Sequence, residues 1–78
     1  MLKVMYFSII REKLKKSQED IDFQGSVKDL KGYLSERYPD LRHLIEASKV
    51  AVNEEYVDDD FPLKGGERVA LIPPVSGG

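Results

Sequence analysis

The sequence predicts an α+β fold, a mixed sheet of about five strands with one main helix packed on one face. Three observations carry that reading. The chain opens on LKVMYFSII, which is β-rich and apolar on both alternating faces. A capped amphipathic helix follows between residues 26 and 38, and the second half is a series of short β-rich runs divided by turn residues.

In the first run, Leu2, Val4 and Tyr6 point one way, and Met5, Phe7 and Ile9 the other. A strand apolar on both faces needs two covers, one of which can be another protein. Residues 11–18 are charged, with several lysines, and read as a connection. A short second strand over residues 19–23, with Ile21 and Phe23 alternating against Asp22, completes an N-terminal hairpin.

Ser26-Val27-Lys28-Asp29 is a capping-box start, in which a hydroxyl and a carboxylate face the orphan N–H groups of the first turn. Val27, Leu30, Leu34 and Tyr38 then repeat at three-and-four spacing to give one apolar stripe. Pro39 stops the helix, because the residue before a proline is pushed out of the helical region. Gly32 in the helix interior has no evident reason in the sequence. Leu41, Leu44 and Ile45 read as a short turn packed under the helix.

Residues 49–53, KVAVN, are a third strand with Val50 and Val52 on one face. Asn53-Glu54-Glu55 suits a tight turn, and a short strand at Tyr56 and Val57 returns from it. Asp58, Asp59, Asp60 and Pro62 belong to a loop, and Gly65-Gly66 to a turn with positive φ. The last strand spans 67–72, Val69 and Leu71 facing one side, Ala70 and Ile72 the other. One helix covers one face, assigned to Leu2, Val4, Tyr6, Ile21 or Phe23, Val50, Val52, Val69 and Leu71. Phe7 and Ile72 are left on the open face, where clustered apolar side chains mark an interaction site.

Composition narrows the function. Seventy-eight residues make one small domain, which buries only about 60% of its unfolded surface, so a deep catalytic cleft is not expected. A net charge of −2, with 33% charged residues, gives no basic excess for nucleic acid. No apolar run near the start is long enough for a membrane span or a signal sequence, so a soluble, cytoplasmic chain is the expectation. With no cysteine and only His43, neither a thiolate nucleophile nor a histidine metal cluster is expected, and His43 reads as a solvated or capping residue. Three adjacent aspartates on one loop lack the distributed ligands of a calcium site.

The ββαβ(β)β order is the β-grasp (ubiquitin-like) arrangement, and the motifs on it resemble the MoaD family. They are Met5-Tyr6-Phe7 followed by Arg11-Glu12, Tyr38-Pro39 after the helix, Val52-Asn53, and Leu63-x-x-Gly66 before Val69. The most specific is Pro73-Pro74-Val75-Ser76-Gly77-Gly78, read as a true terminus. The resemblance, which covers essentially the whole chain, is to the small sulfur-carrying subunits of molybdopterin synthase. It divides the chain into a β-grasp domain, 1–72, and an extended tail, 73–78.

The resemblance implies a carrier cycle. An activating enzyme uses ATP to adenylylate the Gly78 carboxylate, and a sulfur donor converts the acyl-adenylate to a thiocarboxylate. The large synthase subunit admits the tail, and the sulfur passes to a cyclic pyranopterin phosphate to form the dithiolene of molybdopterin. This chain itself binds no cofactor or metal in that cycle and supplies no catalytic side chain. Pro73 and Pro74 stiffen the exit, Val75 is an apolar anchor, and Ser76 and Gly77 form a slim leader into the partner. Phe7, Tyr56 and Ile72 make the apolar docking patch, with Arg11 beside it as a polar contact to the activating enzyme or large subunit. A heterotetramer with two central large subunits is expected. Departures from the family pattern are Tyr56 and Ile72 in place of other bulky apolar residues, Ser76 where Thr is common, and Glu67-Arg68 where Asp-Glu is frequent.

Three other readings stay open at this point: a ubiquitin-like modifier conjugated through Gly78, another β-grasp sulfur carrier such as that for the thiamine thiazole, and an inert-tailed interaction module. Against the thiazole carrier stand its usually shorter chain and the Pro73-Pro74 pair.

Overall fold

In the computed structural model, residues 1–74 are described. The chain runs β1 (Leu2–Tyr6), α1 (Ser8–Leu14), β2 (Gln18–Ile21), β3 (Gly25–Ser26) and α2 (Val27–Arg37). A 3-10 turn (Pro39–Leu41) leads into α3 (Arg42–Ala47), β4 (Lys49–Val52), β5 (Glu55–Val57), β6 (Pro62–Leu63) and β7 (Arg68–Ile72). The main sheet has the order β2-β1-β7-β4-β5. Its central pair, β1 with β7, is parallel, and the other neighbours are antiparallel. This is the mixed five-stranded sheet expected, and it places β7, the last strand among the described residues, in the middle.

The capping box forms as read. Asp29 N–H donates to Ser26 Oγ at 3.0 Å, and Ser26 N–H donates to Asp29 Oδ2 at 3.0 Å. Helix α2 buries Val27, Leu30 and Leu34 against the sheet, where they meet Leu2, Val4, Tyr6, Ile21, Val50, Val52, Val69 and Leu71. All eight sheet positions assigned to the covered face are buried. Each such aliphatic side chain contributes about 1.5–3 kcal/mol over its exposed state. Tyr38 is only half-buried and caps the helix end; its backbone N–H donates to Leu34 O at 2.8 Å. The Lys31 ammonium ties α2 to the start of β4 by donating to Ser48 O at 2.8 Å, and it pairs with Asp59 at 3.2 Å.

Several local expectations are corrected. The opening strand ends at Tyr6, and Ile9 lies in α1, so it does not share the outer face of β1. Residues 11–18 are not a plain connection: α1 begins before them and takes in 11–14, turning Ile10 fully into the core, with Ile9 and Leu14 packed against it. The helix closes on Lys15, which adopts a left-handed conformation at φ 59°. The second strand sits earlier than 19–23, leaving Phe23 outside it, half-buried and 5.6 Å from the Tyr33 ring. The segment after Pro39 is a 3-10 turn and a six-residue helix, burying Leu41 and Ile45. The short pairing of β3 with β6, which brackets the start of α2, was not expected.

The turns follow their chemistry. Asn53 and Glu54 hold positive φ, and the Asn53 side chain accepts the Arg68 N–H at 3.0 Å, locking the turn to β7. At Gly66, φ is +88°, and the Glu67 carboxylate secures the loop by accepting the N–H groups of Lys64 and Gly65.

Candidate functional site

The tail root is set by the sheet. Strand β7 is hydrogen-bonded between β1 and β4, so its last residue, Ile72, leaves from the centre of the molecule's edge. Pro73 is buried against the body and Pro74 is exposed. Neither proline has an N–H to offer a neighbouring strand, and each fixes its own φ, so pairing ends where they begin. Val75, Ser76, Gly77 and Gly78, with the roles expected of them, lie outside the described residues.

The uncovered face of the sheet carries the docking candidates. Register puts Tyr56 opposite Ala51, Ala51 opposite Ala70, and Ala70 opposite Met5. Ile72 is two residues on from Ala70 on the same face, opposite Lys49. Phe7 follows the Tyr6–Leu71 pair with extended backbone and stays partly exposed. Tyr56 is 69% exposed, a large aromatic surface for a domain this small, and the Lys49 ammonium lies 5.9 Å from its ring centre. Phe7, Tyr56 and Ile72 are thus brought onto one face. Arg11 sits one turn further on in α1, where its backbone N–H donates to Phe7 O at 3.4 Å. Sequence reasoning did not name Ala51 or Lys49 for this face, although the alternation of KVAVN places both opposite to Val50 and Val52.

A polar cluster at the same end escaped the sequence reading altogether. Glu19 on β2 accepts the Tyr6 hydroxyl at 2.7 Å and the Tyr38 hydroxyl at 3.0 Å. It also pairs with Arg37 at 2.8 Å and Lys16 at 3.6 Å. Burial pushes the Glu19 carboxyl upward, but the two phenol hydrogen bonds and the two cations outweigh it, and the group is held below its ordinary value. Burial first, and then the hydrogen bond to Glu19, drive the Tyr6 phenol far above its usual range. The cluster joins β1, β2 and the end of α2 on the helix-covered side of the sheet. Its members are far apart in sequence and share no spacing motif, so no local signal reveals them.

Among the described residues, no group of three or more histidine or acidic side chains is placed to hold a metal ion. His43 is exposed on α3. No helix among the described residues is long and apolar enough to cross a membrane.

Comparison with known proteins fits this geometry. The model of the ThiS family matches residues 4–78, nearly the whole chain. The chain belongs to the ThiS family. A molybdopterin synthase sulfur carrier subunit from Dictyostelium discoideum is 33% identical, over 97% of this chain and 94% of the relative. Among solved structures, a molybdopterin converting factor subunit 1 from Pyrococcus furiosus superposes with a TM-score of 0.81 at 30% identity, covering 95% of this chain and 97% of the other. A complex of subunits 1 and 2 of the molybdopterin-converting factor from Helicobacter pylori contains a chain that matches with a TM-score of 0.71 at 29% identity. The match covers 99% of this chain and 97% of that one. For this ThiS-family chain, the β-grasp fold and the kinship with molybdopterin synthase sulfur carriers both stand.

Proposed function

We propose that this chain is the sulfur carrier subunit of a molybdopterin synthase and that its reactive group is the Gly78 carboxylate. The observation that carries the reading is a Pro73-Pro74-led glycine tail placed directly after the central strand of a β-grasp domain. Full-length similarity to sulfur carrier subunits supports it.

The chemistry follows from the end group. A bare carboxylate is a poor electrophile. Attack of a Gly78 oxygen on the α-phosphorus of ATP, held by an activating enzyme, expels pyrophosphate and makes AMP a good leaving group. A donor sulfur then displaces AMP and leaves a thiocarboxylate, ionised at neutral pH and a soft nucleophile. In the large subunit that sulfur bonds to a carbon of a cyclic pyranopterin monophosphate as an oxygen departs from that carbon. Water then cleaves the bond from sulfur to the Gly78 carbonyl carbon, returning the carboxylate; the two sulfurs of the dithiolene take two charged carriers. ATP belongs to the activating partner, and this chain contributes no catalytic side chain.

The body supplies position. Phe7, Tyr56 and Ile72, on the floor of Met5, Ala51 and Ala70, dock on the partner, with Arg11 as a polar contact at the rim. Pro73 and Pro74 direct Val75, Ser76 and Gly77 into the partner's channel. The large subunit is the docking partner, in a heterotetramer with two large subunits at its centre; a small subunit seated with a large one, as in the Helicobacter pylori complex, supports that partnership.

The test is intact mass spectrometry after incubation with the activating enzyme, ATP and a sulfur donor. The expected product is heavier by one oxygen-to-sulfur exchange, located at Gly78. An unchanged mass with every component active would overturn the proposal, and isopeptide-linked lysine products in its place would assign the tail to protein conjugation.

A further inference from the structure

The stretch between β1 and β2 concentrates positive charge at the tail-bearing end. Met5 pairs with Gln18, and Tyr6 N–H donates to Ser17 O at 2.9 Å, so residues 8–16 project from the end of the sheet from which β7 also leaves. Those nine residues hold Arg11, Lys13, Lys15 and Lys16 against the single acid Glu12, a local charge of +3 on a chain whose total is −2. The remainder of the chain therefore carries −5. All four cations are exposed. Lys16 pairs with Glu19, whereas Arg11, Lys13 and Lys15 have no ion-pair partner among the described residues. Asp40, beside the groove that Lys13, Lys15 and Arg37 line, and Glu19, paired with Lys16 and Arg37, are the acids nearby outside this stretch, and with Arg37 counted the patch stays positive.

A protein that swallows the tail has to come up against this end, because the patch and the tail root share it. Four cations brought against a neutral or basic surface would lose hydration without compensation. We propose that α1 and the residues after it form an electrostatic docking patch, and that the large subunit meets it with a rim of carboxylates on one side of its tail channel. The patch flanks β1 and β2 only, so it also fixes the rotation of the carrier about its tail. The proposal rests on the sulfur-carrier reading and adds the chemistry of the partner's rim.

The test compares association of the full chain with the large subunit of the same synthase by stopped-flow, across salt from about 10 mM to about 1 M, where the screening length shrinks from about 30 to about 3 Å. The variant is Lys13→Gln with Lys15→Asn, since asparagine tolerates the left-handed backbone at residue 15. Its control is Lys28→Gln with Lys64→Gln; both lie away from the tail end, Lys28 at the start of α2 and Lys64 beside the loop whose Gly66 N–H binds Met1 O. Unaltered chain is expected to associate about ten-fold slower at high salt. The patch variant should lose several-fold in rate at low salt and approach the unaltered chain at high salt, while the control changes little. A salt-independent rate for the unaltered chain, or an equal loss in the control, would overturn the patch. So would loss of binding to phosphatidylglycerol vesicles by the patch variant with unchanged association to the large subunit. Failure of the unaltered chain to form any complex with the large subunit would instead overturn the functional reading, and the patch with it.

Discussion

Glu19 accepts two phenol hydroxyls and faces two cations, and its charge is what the surrounding fold selects. Replacing it by Gln keeps the shape and removes the charge, which should destabilise the domain by about 1–2 kcal/mol at neutral pH. Because the folded carboxyl lies below its ordinary 4.5, its contribution is complete above that value and disappears as pH falls through the folded one. The urea midpoints of Glu19→Gln and the unaltered chain should therefore draw together as pH falls from neutral through and below the ordinary carboxylate range; a constant gap would contradict the role given to the charge. Two other residues point the opposite way. Ser35 is buried with no hydrogen-bond partner for its hydroxyl, and a Cβ at Gly32 would meet nothing within 4 Å. Ser35→Ala and Gly32→Ala should each stabilise the fold by about 1 kcal/mol, read as a rise in the thermal midpoint. The structure gives Gly32 open space and no packing reason.

At the scale of elements, what was legible in the sequence divides by the length over which its signal acts. Helix α2 could be read because its cap, its stripe and its stop at Pro39 all lie within residues 26–39. The covered face of β1, β4 and β7 could be read because alternation is local. Helix α1 could not, since Ile9 and Ile10 are β-branched and continue an apolar strand, and the charges after them resemble a loop. Only the tertiary fit of Ile10 into the core shows that the chain turns at Phe7. Ile10→Ala should accordingly cost about 2–4 kcal/mol, a core value rather than a loop value, measured by urea unfolding. A change under about 0.5 kcal/mol, the range of surface positions, would return residues 8–14 to the status of a connection. The β3–β6 pairing escaped for another reason: two-residue strands have no pattern to read.

For the whole molecule, the order β2-β1-β7-β4-β5 puts β7 at the centre of the sheet, clamped on both sides, with one sheet face covered by α2. On the proposed function, this frame aims the residues after β7, and the other face receives a partner. Tyr56 tests that division, since it is 69% exposed and touches little of the core. Tyr56→Ala should leave the thermal midpoint nearly unchanged and weaken association with the large subunit by about ten-fold or more, measured by titration calorimetry. Unchanged affinity would remove the open face from the docking surface.

The most direct test of the central claim is a single turnover with purified parts. Thiocarboxylated chain, large subunit and cyclic pyranopterin monophosphate are mixed, and the mass of this chain and the formation of molybdopterin are followed together. Sulfur should leave Gly78 as molybdopterin appears, and a chain lacking Gly78 should yield none. Molybdopterin formed at full yield without Gly78, or while the thiocarboxylate persists, would contradict the claim.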